Sequence, residues 1–166
     1  MVCVVSGSKV FCEKFKKTDN EKVIYSYSFL TSRNSDEATL LFWNWLLFYT
    51  KFTPKHAALH NIYQKNAAAF FYDLDNDGSQ EIIGTHYATS VAGQGNCLLY
   101  ILKYDEKSKT KYKLISQSLY FDAHKTIQIL ESKTANYHKI QIAQIGSNED
   151  KICYFDRKKN YYMQNK

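Results

Sequence analysis

Asp73-Leu74-Asp75-Asn76-Asp77-Gly78-Ser79-Gln80-Glu81 is the stretch whose residue types and spacing converge on a definite chemistry. Carboxylates at loop positions one, three, five and nine aim oxygens at a common centre, and Gly78 at position six permits the sharp turn this requires. An oxygen-only donor set suits calcium, which takes six to eight oxygen ligands in a flexible geometry. The expected ligands are the side chains of Asp73, Asp75, Asp77 and Glu81 with the carbonyl of Ser79, and calcium is the expected cofactor. An EF-hand would place a bidentate Glu at position twelve, which here is Gly84, and a helix in front, where Phe70-Phe71-Tyr72 stands instead. A metal-free acidic turn is the competing reading, because Asp, Asn and Gly are also ordinary turn formers.

The elements that must position this loop are aromatic and β-branched, so Phe70 to Tyr72 and Ile82 to Ile83 are expected as two short strands. The run Phe-x-Asp-x-Asp-x-Asp-Gly-x-x-Glu-Ile-Ile resembles the calcium loop of FG-GAP and VCBS-type β repeats, found in propeller blades and small extracytoplasmic modules. The following Gly93-x-Gly95-x-Cys97 and the apolar strand Leu98 to Tyr104 are similar to small secreted or periplasmic bacterial modules. In this chain Ala92 stands where those modules carry a first Cys, and Asn96 replaces a Gly. Phe-Asp-x-Lys-x-x-Tyr at Phe155 to Tyr161 looks like their closing hairpin. The resemblance covers a single repeat, roughly residues 67–163. It implies a periplasmic or secreted location if a signal peptide was removed, and a cytoplasmic one otherwise.

With 166 residues the chain is expected to form one domain, 1–166, large enough to bury a core without help from metals or bridges. A propeller would need several copies of the loop, and there is one. Lys plus Arg is 22 against 16 for Asp plus Glu, a formal charge of +6, yet no nucleic-acid motif accompanies it. The lysines are therefore read as solvated strand and turn faces, including those spread from Lys103 to Lys113. No stretch reaches the ~20 apolar residues of a membrane helix, and Met1 to Gly7 lacks the pattern of a signal peptide.

Val2 to Val5 and Val10 to Phe15 read as a hairpin about Ser6-Gly7-Ser8-Lys9, and pairing Val5 with Val10 sets Cys3 opposite Cys12. Cross-strand neighbours lie within disulfide range, so Cys3 and Cys12 are a candidate bridge, with a pair of buried thiols as the alternative. The total of four cysteines leaves three pairings open. Lys22 to Leu30 alternates as a strand with Val23, Tyr25 and Tyr27 on one side. Asn34-Ser35-Asp36-Glu37 offers an N-cap at Asn34 with Glu at the third following position and opens a helix to about Tyr49, and Thr53-Pro54 caps a second helix to about Gln64. His56 and His60 share a face of that helix, but no Glu of the zinc-protease type lies between them. Strands then follow at Leu98 to Tyr104, Tyr112 to Ser116, Thr126 to Leu130, Lys139 to Ile145, Lys151 to Phe155 and Tyr161 to Met163. The fold class is α+β: an antiparallel β-sheet meander with two helices inserted in the N-terminal half.

A catalytic centre needs a nucleophile or metal-bound water, a base and a group to hold an oxyanion. Ser90 lacks the flanking glycines of a nucleophile elbow. Cys97 with His86 or His124 would make a thiol and base pair, yet a Cys heading an apolar strand usually packs as an inert buried thiol. The chain is therefore expected to be a non-catalytic, calcium-stabilised β module that binds another protein, for instance as an inhibitor or immunity protein against a secreted enzyme or toxin. The 14 Tyr and 10 Phe are enough for both core and interface anchors. His86, Tyr87 and Gln94, in the segment from Thr85 to Asn96, are the expected partner contacts, because recognition residues gather on loops of a fixed scaffold. A metal-dependent hydrolase and a carbohydrate or cell-surface adhesion module are the alternatives.

Overall fold

The computed structural model describes residues 4–6, 9–11, 21–29, 35–60, 62–87, 96–116, 119–122, 126–142 and 150–164. The first half contains β1 (Val4–Ser6), β2 (Lys9–Phe11), β3 (Val23–Tyr27), α1 (Asp36–Thr50), α2 (Pro54–Leu59), a 3-10 turn (Gln64–Asn66) and β4 (Ala67–Tyr72). Among the described residues the regular elements of the second half are all strands: β5 (Glu81–His86), β6 (Asn96–Tyr104), β7 (Tyr112–Leu114), β8 (Leu119–Asp122), β9 (Ile127–Thr134), β10 (Tyr137–Ile142), β11 (Lys151–Asp156) and β12 (Tyr161–Gln164). The class is thus α+β and mostly β. No helix among the described residues is long and apolar enough to cross a membrane.

β1 and β2 form a hairpin of their own, and the other ten strands divide between two five-stranded sheets. One runs β4-β5-β6-β7, with β8 also paired to β6; the other runs β12-β11-β10-β9-β3. All these pairings are antiparallel. Sequence alternation shows that a strand has a buried face but not which sheet covers it, which is why the division is a finding of the structure. β6 is long enough to hold β7 at its end near Tyr104 and β8 at its end near Asn96. Between them, Ser116 Oγ accepts from the Ile101 amide at 3.0 Å, so a side chain stands in for the interrupted ladder. A parallel bridge, Ser116 to Tyr162, joins the two sheets at this corner.

The alternation in β4 and β5 explains the layering. Ala68, Phe70 and Ile83 point into the core between the sheets with Leu99, Ile101, Ile127, Ile129 and Ile140. Ala67, Ala69 and Ile82 point the other way, onto α1, where Phe42, Trp45 and Leu46 cover them. Rings cross the gap between the sheets, with Tyr27 on Phe70 at 3.9 Å between centroids and Tyr25 on Tyr72 at 5.1 Å. Both sheet faces of β4 and β5 are buried, so the hairpin that carries the acidic loop is clamped on two sides.

The helix starts fall where capping chemistry puts them. Ser35 Oγ accepts from the Ala38 amide at 3.2 Å, one residue later than the Asn34 cap expected from the spacing to Glu37. The Ser35 amide also donates to the Ala69 carbonyl, and Thr39 Oγ1 accepts from the Ala69 amide, so the first turn of α1 covers the open edge of β4. Thr53 caps α2 as expected, but that helix stops at Leu59 and not near Gln64. The Ile62 amide reaches back 2.8 Å to the Ala57 carbonyl and closes the helix there. In the N-terminal hairpin Val5 pairs with Val10, as expected, while Cys3 and Cys12 lie outside the described residues.

Candidate metal centre

The acidic loop spans the turn from β4 to β5. Its conformation is fixed by its own carboxylates: Asp73 Oδ1 accepts from the Asp77 amide at 3.2 Å and Oδ2 from the Gly78 amide at 3.0 Å. Asn76 and Gly78 adopt left-handed φ values of 59° and 86°, conformations that Asn and Gly accept at least cost. Leu74 is fully buried between the sheets, and its carbonyl accepts from the His138 amide on β10 at 2.8 Å. One apolar residue inside a charged loop thus bolts it to the second sheet.

Glu81 begins β5 and is fully buried. Its Oε2 accepts from the Leu74 amide at 2.8 Å, while Oε1 has no hydrogen-bond partner. Burial pushes the Glu81 carboxyl up to about 7, against the lowering effect of the Leu74 amide and of Lys103. Asp73, Asp75 and Glu81 each offer an oxygen such that all three lie within 4.8 Å of one another. Two oxygens on one calcium are separated by at most about twice the ~2.4 Å metal–oxygen distance, so this spacing fits a shared ion. Of the five ligands expected from the sequence, these three converge. Asp77 lies outside this triad, 43 % exposed, and Ser79 is exposed with its amide donating to Asp77 Oδ1 at 2.8 Å.

The residue that sequence reasoning missed is Lys103. Its ammonium lies 2.5 Å from Asp75 Oδ2, 2.8 Å from Asp77 Oδ2 and 3.4 Å from Glu81 Oε1. Burial alone would lower its pKa, but the hydrogen bonds to Asp75 and Asp77 outweigh it and hold the lysine well above its ordinary value. The same bond holds the Asp77 carboxyl below the usual carboxylate range. At 20 % side-chain exposure, Lys103 is not the solvated strand lysine it resembles in sequence. The signal that would have found it is register: Ile82 opposes Leu102, and one step further places Lys103 across from Glu81.

The expected partner contacts sit differently. His86 is buried against Trp43, and its Nε2 lies 2.9 Å from the Tyr63 carbonyl, to which it donates. Burial lowers the His86 pKa and keeps the ring neutral. Tyr87 is half-buried against the core between the sheets, and its hydroxyl is buried there. His86 thus serves the inside of the fold and not a surface, while Tyr87 keeps only partial exposure; Gln94 lies outside the described residues. His56 and His60 are exposed, and His60 stacks on Phe52 at 5.1 Å. Cys97 is a free buried thiol whose pKa burial pushes up, so it stays protonated near neutrality.

No family model matches this chain, and neither a curated protein nor a solved structure matches it.

Proposed function

We propose that this chain is a non-catalytic, calcium-stabilised β module that binds another protein. The observation that carries the cation site is Glu81, a carboxylate with no solvent exposure whose Oε1 has no hydrogen bond and only the Lys103 ammonium at 3.4 Å, and which converges with Asp73 and Asp75. Leaving a buried carboxylate oxygen without a hydrogen bond is costly, and a hard cation is the ligand that offsets the cost. Asp73, Asp75 and Glu81 are the side chains that would hold it. Calcium there supplies a fixed charge that rigidifies the β4 to β5 turn.

Binding of a protein partner is supported by exposed aromatic surface. Phe48 and Tyr49 are 55 % and 56 % exposed, and with Phe52, Tyr112 and Leu114 they line an open cavity of about 700 Å³ at the end of α1. Aromatic anchors in a shallow apolar depression are the usual core of a protein interface. An inhibitor or immunity protein facing a secreted enzyme or toxin is the partner relationship this reading favours.

Calcium binding to the native state alone stabilises by RT ln(1 + [L]/Kd), about 2.7 kcal/mol at a hundredfold excess over Kd. Melts in calcium and in chelator are expected to differ, and the pair Asp75→Asn plus Asp77→Asn to abolish the difference. Identical wild-type melts with no heat of calcium binding would overturn the calcium reading. Turnover of a phosphoester or glycan by pure protein, lost with the same carboxylates, would replace the binding module with a metal-dependent hydrolase.

A further inference from the structure

We infer that Lys103 is a built-in competitor for the calcium site: its ammonium occupies the carboxylate cluster when metal is scarce, and a divalent cation must displace it to bind. The inference rests on the calcium reading of the loop and adds to it a residue that sets the affinity.

The oxygens of the cluster account for themselves one by one. Asp73 gives its two to the amides of Asp77 and Gly78. Asp77 gives Oδ1 to the Ser79 amide and Oδ2 to Lys103. Asp75 gives Oδ2 to Lys103, and Glu81 gives Oε2 to the Leu74 amide. Two buried oxygens remain without a hydrogen bond, Asp75 Oδ1 and Glu81 Oε1. Both belong to the two carboxylates that lie within ion-pair distance of Lys103 and are also members of the convergent triad. One ammonium therefore sits among these groups without satisfying them.

A calcium ion would satisfy them, because it gathers six to eight oxygens at ~2.3 to 2.6 Å where an ammonium has three donors at ~2.7 to 2.9 Å. The two cations need the same two side chains, Asp75 and Glu81, and repel each other, so their occupancy is exclusive. The lysine has somewhere to go: it is part-exposed, and its ammonium already lies 5.2 Å from the centre of the Tyr137 ring. A cation–π contact at such a distance retains part of the lost attraction. Displacing the ammonium subtracts from calcium affinity. The loop is thereby ordered in both states, by lysine when calcium is low and by calcium when it is high.

Calorimetric calcium titration of the wild-type chain, Lys103→Met and Lys103→Arg tests this. Lys103→Met is expected to bind about tenfold more tightly or better, equivalent to ~1.4 kcal/mol, and to melt below wild type in chelator and recover in calcium. Lys103→Arg, which keeps the charge, is expected to gain no such increase. Folded Lys103→Met with wild-type affinity overturns the competition and leaves the calcium site standing. Absence of calcium binding in all three overturns the site itself. Wild-type protein with carbon-labelled lysine provides a measurement that needs no variant: the Lys103 ε-carbon signal is expected to move as calcium binds. A signal that stays in place while calcium heat is recorded also overturns the displacement.

Discussion

Glu81 and His86 open and close the same strand, are both buried, and meet burial in opposite ways. Glu81 keeps a charge-seeking oxygen in a dry place and so calls for a cation. His86 gives up its charge: it stacks on Trp43, donates to the Tyr63 carbonyl and has a pKa below the ordinary 6.5. A histidine whose folded pKa is depressed contributes stability that is present above the unfolded value and lost as pH falls towards the folded one. Urea melts from about pH 7 to about pH 5, bracketing the free imidazole value, are expected to show this loss. His86→Gln keeps an N–H for the Tyr63 carbonyl, and the pH-dependent difference between it and wild type isolates the imidazole. If the two lose stability in parallel over that range, the neutral buried role of His86 is wrong.

The β4 to β5 hairpin is held by two neighbours, and its small residues make the fit on the helix side possible. A Cβ on Gly84 would lie 2.8 Å from the Phe42 ring, closer than carbon atoms pack, so α1 approaches β5 only because this position has no side chain. Gly84→Ala is expected to destabilise by ~1 to 3 kcal/mol, the usual range for overpacking a filled core. In a Phe42→Leu background the same change should cost less, because the two positions share one contact. Equal costs in both backgrounds, measured by denaturant melts, would show that the helix does not rest on Gly84. At the start of the same helix Ser35 Oγ caps the Ala38 amide, and Ser35→Ala is expected to cost ~1 kcal/mol in the same assay.

In the whole molecule, one sheet is covered by a helix and the other sheet packs against its opposite face, which leaves the aromatic end of α1 as an apolar surface without cover among the described residues. Phe48, Tyr49 and Tyr104 are all about half exposed. On the proposed reading, Phe48→Ala weakens partner binding by ~2 kcal/mol or more if it is an interface anchor. It leaves the melting temperature near wild type, since an exposed ring contributes little to the core. Affinity measured against a co-purified partner checks this. A drop in stability with unchanged affinity would assign Phe48 to the fold.

What the sequence determined by itself was local. Acidic residues at alternate positions before Gly78, the Thr53 cap with Pro54 after it, the Val5 to Val10 pairing and the alternating strands all depend on residues a few positions apart, where chain geometry fixes who meets whom. The α+β class followed from the same spacings. Tertiary structure decided everything that depends on a neighbour across the fold. Lys103 reads as one more surface lysine until register sets it opposite Glu81, and His86 reads as a loop histidine until Trp43 covers it. β8, a four-residue strand, exists because β6 extends beyond β7 and offers it an edge. The physical reason is common to all three: alternation specifies that a side chain is turned inward, whereas sheet order and register specify what it finds there.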